Sequence, residues 1–168
     1  MGGTRQRTER GARLSHIGPR GAARMVDVGA KKPTSRSARA ECWVRLGRGL
    51  ASQLRRTGRT AKGAVLETAR VAGIMAAKRT AELIPLCHPL PLDAVDIELE
   101  LHGERVRIES SVRTRAVTGV EMEALTAVAV AALTVYDMCK AADKGIAIEG
   151  VRLLEKTGGK SGAWKAAP

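Results

Sequence analysis

The sequence predicts an α+β fold, an antiparallel sheet with two main helices packed on one face, and three observations carry this expectation. Residues 94–114, "AVDIELELHGERVRIESSVRT", alternate apolar and polar positions with period two on either side of a turn, the pattern of a half-buried β-hairpin. Two long stretches, 60–83 and 119–145, instead space their apolar residues as helices do. A strand-like run precedes the first of them and another follows the second.

Taken in order, "MVDV", Met25 to Val28, is a candidate for an extra N-terminal strand. Ser37 to Leu46, "SARAECWVRL", alternates loosely around Trp43 and Val44 and is expected as a strand, followed by a short helical turn and a loop at Gly58. From Thr60 to Leu83, apolar residues recur at Val65, Ala69, Ala72, Met75 or Ala76, and Leu83, with Lys and Arg on other faces. That is an amphipathic helix, and Pro85 stops it. In the hairpin, Val95, Ile97, Leu99 and Leu101 share one face, Asp96, Glu98 and Glu100 the other, and the chain turns at His102-Gly103 before Val106, Ile108, Ser110 and Val112. "GVEMEALTAVAVAALTVYDMCKAADKG" is apolar nearly all round and rich in Ala, so it reads as a helix buried on most sides, with Gly145 as its stop. "IAIEGVRLLEK" supplies the last strand before the loop "TGGKSG". The order β-α-β-β-α-β is the ferredoxin-like arrangement. A helix with so few polar positions also implies a further covering surface, and therefore an oligomer.

The 168 residues suit one domain: a basic flexible tail over residues 1–13 and a single catalytic domain over 14–168. With no Phe, and only Tyr136, Trp43 and Trp164 as aromatics, the core must be built from Leu, Val, Ile, Ala and Met. The net charge of +12 is unevenly placed. Residues 1–60 hold 15 of the 29 Lys+Arg but only Glu9, Asp27 and Glu41 of the 17 acidic residues, so residues 61–168 are neutral. A basic tail of this kind serves solubility more often than nucleic-acid binding. No apolar run approaches the ~18 residues of a membrane span, and no secretory apolar segment opens the chain. Cys42, Cys87 and Cys139 are an odd, scattered set that suits a reducing compartment. The expected location is cytoplasmic, with no membrane partner.

Four motifs are candidates for chemistry. "LIPLCHPLPL", Leu83 to Leu92, sets Cys87 and His88 among three prolines. Adjacent side chains seldom reach one tetrahedral ion and no partner spacing accompanies them, so zinc is disfavoured, as is a Cys-His nucleophile pair. His88 is then either a structurally fixed histidine or an imidazole aimed from a stiff loop. "YDMCKAADK" places Asp137 and Lys140 at i and i+3, which spacing alone explains as a surface ion pair. Yet a lysine leaving so apolar a helix can have its pKa drawn toward neutrality while a neighbouring carboxylate restores its charge, as an acid-base lysine requires.

"VTGVEME" opens the same helix with Glu121 and Glu123, which the macrodipole alone would account for. Glu123 lies 14 residues before Asp137, about 21 Å along a helix at ~1.5 Å per residue. One small ligand does not span both ends of one helix. "KTGGKSG" fails the P-loop pattern, since the first glycine position falls on Leu154. Lys156 and Lys160 in this Gly-rich loop either hold phosphate through charge and free backbone N–H groups or belong to a solvated C-terminus.

Together, "MVDV", "KGAVLETARVAGIMAAKRTAELIPLCHPLPL", "GVEMEALTAVAVAALTVYDMCKA" and "LLEKTGGKSG" resemble, in this order and spacing over residues 14–165, the cyclic pyranopterin monophosphate synthase family of molybdenum cofactor biosynthesis. The resemblance implies a ferredoxin-like lyase that converts 3′,8-cyclo-7,8-dihydro-GTP to cyclic pyranopterin monophosphate with release of pyrophosphate. It also implies homohexamers, trimers of dimers, with sites at subunit boundaries, and no redox cofactor; the absence of a metal site is an expectation from residue spacing alone. Carried onto matching positions, it makes Asp137, Lys62 and Lys140 catalytic. It makes Leu86, Cys87, His88, Glu121, Met122 and Glu123 substrate-binding, with Lys156 and Lys160 on the triphosphate. One departure stands out: family members often read "KGDV" where this chain has "KGAV", so Ala64 replaces an Asp and Lys62 must be oriented by other means.

Two rival readings remain. A nucleic-acid-binding module would draw on the pI near 10.5 and on the element order, but such sheets stack bases on aromatics and residues 94–114 have none. A non-catalytic ligand-binding regulator of the same fold would draw on Ala64.

Overall fold

The computed structural model describes residues 22–167. Seven strands and four helices follow one another: β1 (Thr34–Arg45), α1 (Arg48–Thr57), β2 (Arg59–Thr60), β3 (Gly63–Ala64), α2 (Val65–Lys78), α3 (Thr80–Leu83), β4 (Ala94–His102), β5 (Arg105–Ala116), α4 (Glu121–Cys139), β6 (Ala147–Thr157) and β7 (Trp164–Lys165). The main sheet runs β4-β5-β1-β6-β7 and every pairing in it is antiparallel. With the long helices α2 and α4 in the two crossovers, this is the ferredoxin-like arrangement that the alternation and helical spacing predict. The tail expected over residues 1–13 and the domain start expected at residue 14 lie outside the described residues.

Period two decides which side of the sheet is the core. Ala38, Ala40, Cys42 and Val44 of β1, Ile97 and Leu99 of β4, and Val106, Ile108 and Val112 of β5 point inward and are buried. Against them lie Val65 and Ala69 of α2, Leu50, Ala51 and Leu54 of α1, and Ala124, Ala127, Val128, Ala131 and Val135 of α4. Fully burying a Val or Ile side chain stabilises the fold by about 1.5–3 kcal/mol, so this many small aliphatics offset the missing aromatics. The two long helices pack closely at Gly73, where a Cβ would stand 2.8 Å from the Ala127 carbonyl oxygen and 2.5 Å from Ile97 Cδ1.

Four expectations change. Met25–Val28 is not a strand: the Val26 carbonyl is taken by a side chain, His88, rather than by a ladder. The first long helix begins at Val65, not Thr60, because Arg59–Thr60 and Gly63–Ala64 pair as a short hairpin, with Gly63 at φ 115. The helical turn before Gly58 is a ten-residue helix, closed by Gly58 at φ 66 with its N–H on the Leu54 carbonyl. Finally, α4, at 19 residues, does reach the length and composition of a membrane span. Its Ala124, Ala127, Val128, Ala131, Ala132 and Val135 are fully buried in the protein, so its apolar composition serves the core.

Candidate active site

The proline-rich segment after α3 is pinned at three points. The Cys87 N–H donates to the Ile84 carbonyl at 3.0 Å and the Asp93 N–H to the Arg113 carbonyl at 2.9 Å, while the buried Thr114 hydroxyl donates to the Pro91 carbonyl. On this ledge His88 Nε2 lies 2.9 Å from the Val26 carbonyl oxygen. A carbonyl only accepts, so Nε2 carries a hydrogen, and a ring bearing that hydrogen alone has Nδ1 as an acceptor.

Leu86, Cys87 and His88 line a cavity of about 310 Å3 together with Glu121, Met122 and Glu123 of the first turn of α4. Glu123 is only 4% exposed. Burial raises its pKa above the ordinary carboxyl value, its own backbone amide pulls the other way, and the Glu121 charge adds to the rise. Burial, together with the Glu123 charge, also raises the Cys87 thiol. Cys87 is therefore a neutral thiol rather than a thiolate nucleophile.

Next to this cavity is a second, of about 590 Å3, and the two share Lys31, Thr118, Gly119 and Glu121. It is lined by Arg36, Lys156 and Lys160, so four cations surround it. The Lys156 ammonium also donates to the Ser161 hydroxyl. Arg36 and Lys31 escaped the sequence reading. Arg36 shares the even-numbered register of Ala38, Ala40, Cys42 and Val44 in β1, so the alternation itself puts a guanidinium on the inward face. That was the available signal. Arg36 donates to the Val117 carbonyl at 3.3 Å, while its buried Nε has no partner among the described residues. The glycine loop is fitted over it: Gly159, at φ 73, would bring a Cβ to 1.9 Å from Arg36 Nη1.

Lys62, Asp137 and Lys140 meet at the far end of α4. Lys62 Nζ donates to Asp137 Oδ2 and to the Asp137 backbone carbonyl, both at 2.8 Å, and Lys140 Nζ lies 2.7 Å from Asp137 Oδ1. One carboxylate thus bridges two ammoniums. The hydrogen bonds from Lys140 and then Lys62 hold the Asp137 carboxyl down to about 2. The same contact raises Lys140, so the expected drift of this lysine toward neutrality is absent: its side chain is 51% exposed and the carboxylate outweighs desolvation. The structure therefore assembles two clusters, one at each end of α4. Glu123 and Asp137 are separated by 14 residues of unbroken helix, about 21 Å at ~1.5 Å per residue.

The profile of the MoaC family matches residues 25–159. This chain belongs to the MoaC family. Among its relatives, a protein of Thermomicrobium roseum is 59% identical over 156 residues, spanning 92% of this chain and 93% of its own. One from Corynebacterium efficiens is 58% identical over 151 residues, 90% of this chain and 97% of its own. A third, from Bordetella avium, is 58% identical over 154 residues, covering 90% and 94%. Each of the three is named cyclic pyranopterin monophosphate synthase. The matched span takes in both ends of α4, the proline-braced ledge, Lys31, Arg36 and Gly159.

Proposed function

We propose that this MoaC-family chain converts 3′,8-cyclo-7,8-dihydro-GTP to cyclic pyranopterin monophosphate and pyrophosphate, in a pocket completed by a second copy of the chain. The observation that carries the reading is the joined pair of cavities. One has a buried acid and a fixed imidazole suited to a guanine-derived ring, and its neighbour holds four cations suited to a triphosphate. In the ring cavity the Glu123 carboxylate accepts hydrogen bonds from ring N–H groups, while His88 Nδ1 accepts another. In the basic cavity Lys31, Arg36, Lys156 and Lys160 neutralise the phosphates. A sugar oxygen attacks the α-phosphorus, the bond to the bridging oxygen breaks, and pyrophosphate leaves with the negative charge that these cations stabilise.

Ring opening and reclosure require proton transfers, which fall to Lys62, Lys140 and Asp137. In the free chain Asp137 binds both lysine side chains and favours the charged form of Lys140, the form that can give a proton. Because this cluster and the ring cavity occupy opposite ends of one helix, the triad that serves a given cavity comes from another chain. Exposed apolar residues support such an assembly. Val71, Met75, Leu83 and Leu133 are each more than half exposed, and Met75 and Leu83 border a groove of about 390 Å3 with Ala72, Ala76 and Val130. A hexamer built as a trimer of dimers accommodates them.

Incubation of the purified protein with the cyclised GTP derivative tests the reading. Stoichiometric pyranopterin and pyrophosphate are expected from wild type and neither from Lys140→Ala. Equal turnover by both proteins would remove Lys140 from the mechanism, and binding without turnover in wild type would instead indicate a ligand-binding regulator.

A further inference from the structure

The hairpin β2–β3 answers the question that Ala64 raises, namely what orients Lys62 when the motif lacks its acidic residue. An α-helix leaves its last four carbonyls without intrahelical donors. At the end of α4, the Lys140 N–H reaches the Tyr136 carbonyl, and the Ala142 and Asp143 N–H groups reach Cys139. Among the described residues no backbone amide beyond the helix takes the two carbonyls between, Asp137 and Met138. Both are instead capped by side chains of the hairpin. Lys62 Nζ donates to the Asp137 carbonyl at 2.8 Å, and the Thr60 hydroxyl donates to the Met138 carbonyl at 3.1 Å. The same Thr60 oxygen accepts the Lys62 N–H at 3.3 Å. Thr60 is thus bonded both to the helix end and to the backbone of the lysine. On the other side of the hairpin, Gln53 of α1 donates to the Arg59 carbonyl at 3.1 Å, and the Thr57 hydroxyl oxygen accepts the Arg59 N–H at 3.2 Å.

We infer that Thr60 is a positioning residue, whose hydroxyl fixes the hairpin tip to the end of α4 and so sets where the Lys62 ammonium stands relative to Asp137. The hydroxyl is a donor to the helix and an acceptor from the lysine backbone at once, which no aliphatic side chain reproduces. Ser keeps both bonds, and Val keeps the shape while losing both. The catalytic side of this inference rests on the proposed lyase reading, whereas the geometric side stands on the hydrogen bonds alone.

Two readouts on full-length Thr60→Val and Thr60→Ser separate these sides. The first is trace labelling of the lysines with acetic anhydride, scored by peptide mass spectrometry as the ratio of Lys62 to Lys165. Lys165, exposed on β7 and outside the Asp137 cluster, serves as the internal standard. The ratio is expected to rise severalfold in Thr60→Val and to match wild type in Thr60→Ser. The second is turnover of the cyclised GTP derivative. In Thr60→Val kcat is expected to fall about tenfold or more, since a misplaced group costs rate, with KM changed less than about twofold and with rescue by Thr60→Ser. An unchanged labelling ratio in Thr60→Val overturns the inference. A raised ratio with unchanged kcat overturns its catalytic side. Should wild type itself lack turnover, the proposed function fails, and the labelling ratio still decides whether Thr60 places Lys62.

Discussion

Lys62 and Asp137, 75 residues apart in sequence, are joined at 2.8 Å between side chains and again at 2.8 Å from the lysine to the aspartate's own carbonyl. The lysine therefore reads both the carboxylate and the helix end that carries it. This double contact makes the ion pair a geometric constraint as well as an electrostatic one.

Its pH dependence has a definite sign. Asp137 is depressed from 3.8 to about 2 on folding, chiefly by Lys140 and then Lys62. A carboxyl lowered in the folded state contributes stability above its unfolded pKa and loses it as pH falls through the folded value. Urea midpoints of wild type and Asp137→Asn are expected to differ near pH 5 and to converge near pH 2, a window of about three pH units set by this linkage. A gap that stays constant over that window would show that the pair does not take part in the folding equilibrium. The effect is modest, since solvent screens a pair this exposed.

Glu123 predicts an opposition between stability and function. Its pKa is raised chiefly by burial, so the ionised form weakens the empty fold as pH rises past the ordinary carboxyl value. Glu123→Gln is expected to raise Tm at neutral pH. It should also lower kcat/KM by about ten- to a hundredfold, the loss of one charged hydrogen bond worth ~1.5–3 kcal/mol. Differential scanning calorimetry alongside steady-state kinetics checks both, and a lower Tm would mean that the carboxylate is structurally required.

If each pocket draws on two chains, damage at opposite ends of α4 should complement. Glu123→Ala and Asp137→Ala, each inactive alone, are expected to regain activity after mixed refolding, because some pockets then receive an intact ledge side from one chain and an intact triad from another. Complete inactivity of a well-mixed sample would speak for sites within single chains.

Cation loss in the basic cavity should act on binding and on the departure of pyrophosphate. Arg36→Gln and Lys160→Gln are each expected to lower kcat/KM about tenfold or more, through KM and kcat together, since each removes a charge-assisted hydrogen bond to phosphate. Pyrophosphate inhibition should weaken in parallel. Unchanged product inhibition in both variants would place the phosphates elsewhere.

Close helix packing gives a stability prediction. Gly73→Ala sets a Cβ 2.8 Å from the Ala127 carbonyl oxygen, and that atom is backbone. A loss of about 1–3 kcal/mol is expected from overpacking, measurable by urea denaturation. A stabilised variant would show that the α2–α4 spacing is free to adjust.

The parts that the sequence disclosed are those where one periodicity dominates. Val95, Ile97, Leu99 and Leu101 alternate with Asp96, Glu98 and Glu100, so the hairpin could be read with its face and turn. The Ala-rich run before Asp137 reads as a helix apolar on most sides, and its burial shows that the protein core covers it. Met25–Val28 has the alternation of a strand, but alternation does not report whether a side chain will claim a carbonyl, as His88 does. The start of the first long helix was misplaced because Gly58 and Gly63 bend the chain into a hairpin that helical spacing does not register. Lys31 and Arg36 were lost among 15 basic residues in the first sixty, where charge alone does not single out a ligand. The pairing of Lys62 with Asp137 depends on tertiary contact, and only the resemblance named both residues in advance.

If each pocket draws on two chains, as proposed above, the rigid length of α4 gives the protein an unusual dosage rule. A chain damaged at one end of the helix removes one pocket, and in a mixed population working pockets fall in proportion to intact chains. A chain damaged at both ends, or one whose α4 fails to form, spoils two pockets at once. Working pockets then fall as the square of the intact fraction, so half-expression of such an allele leaves a quarter of them.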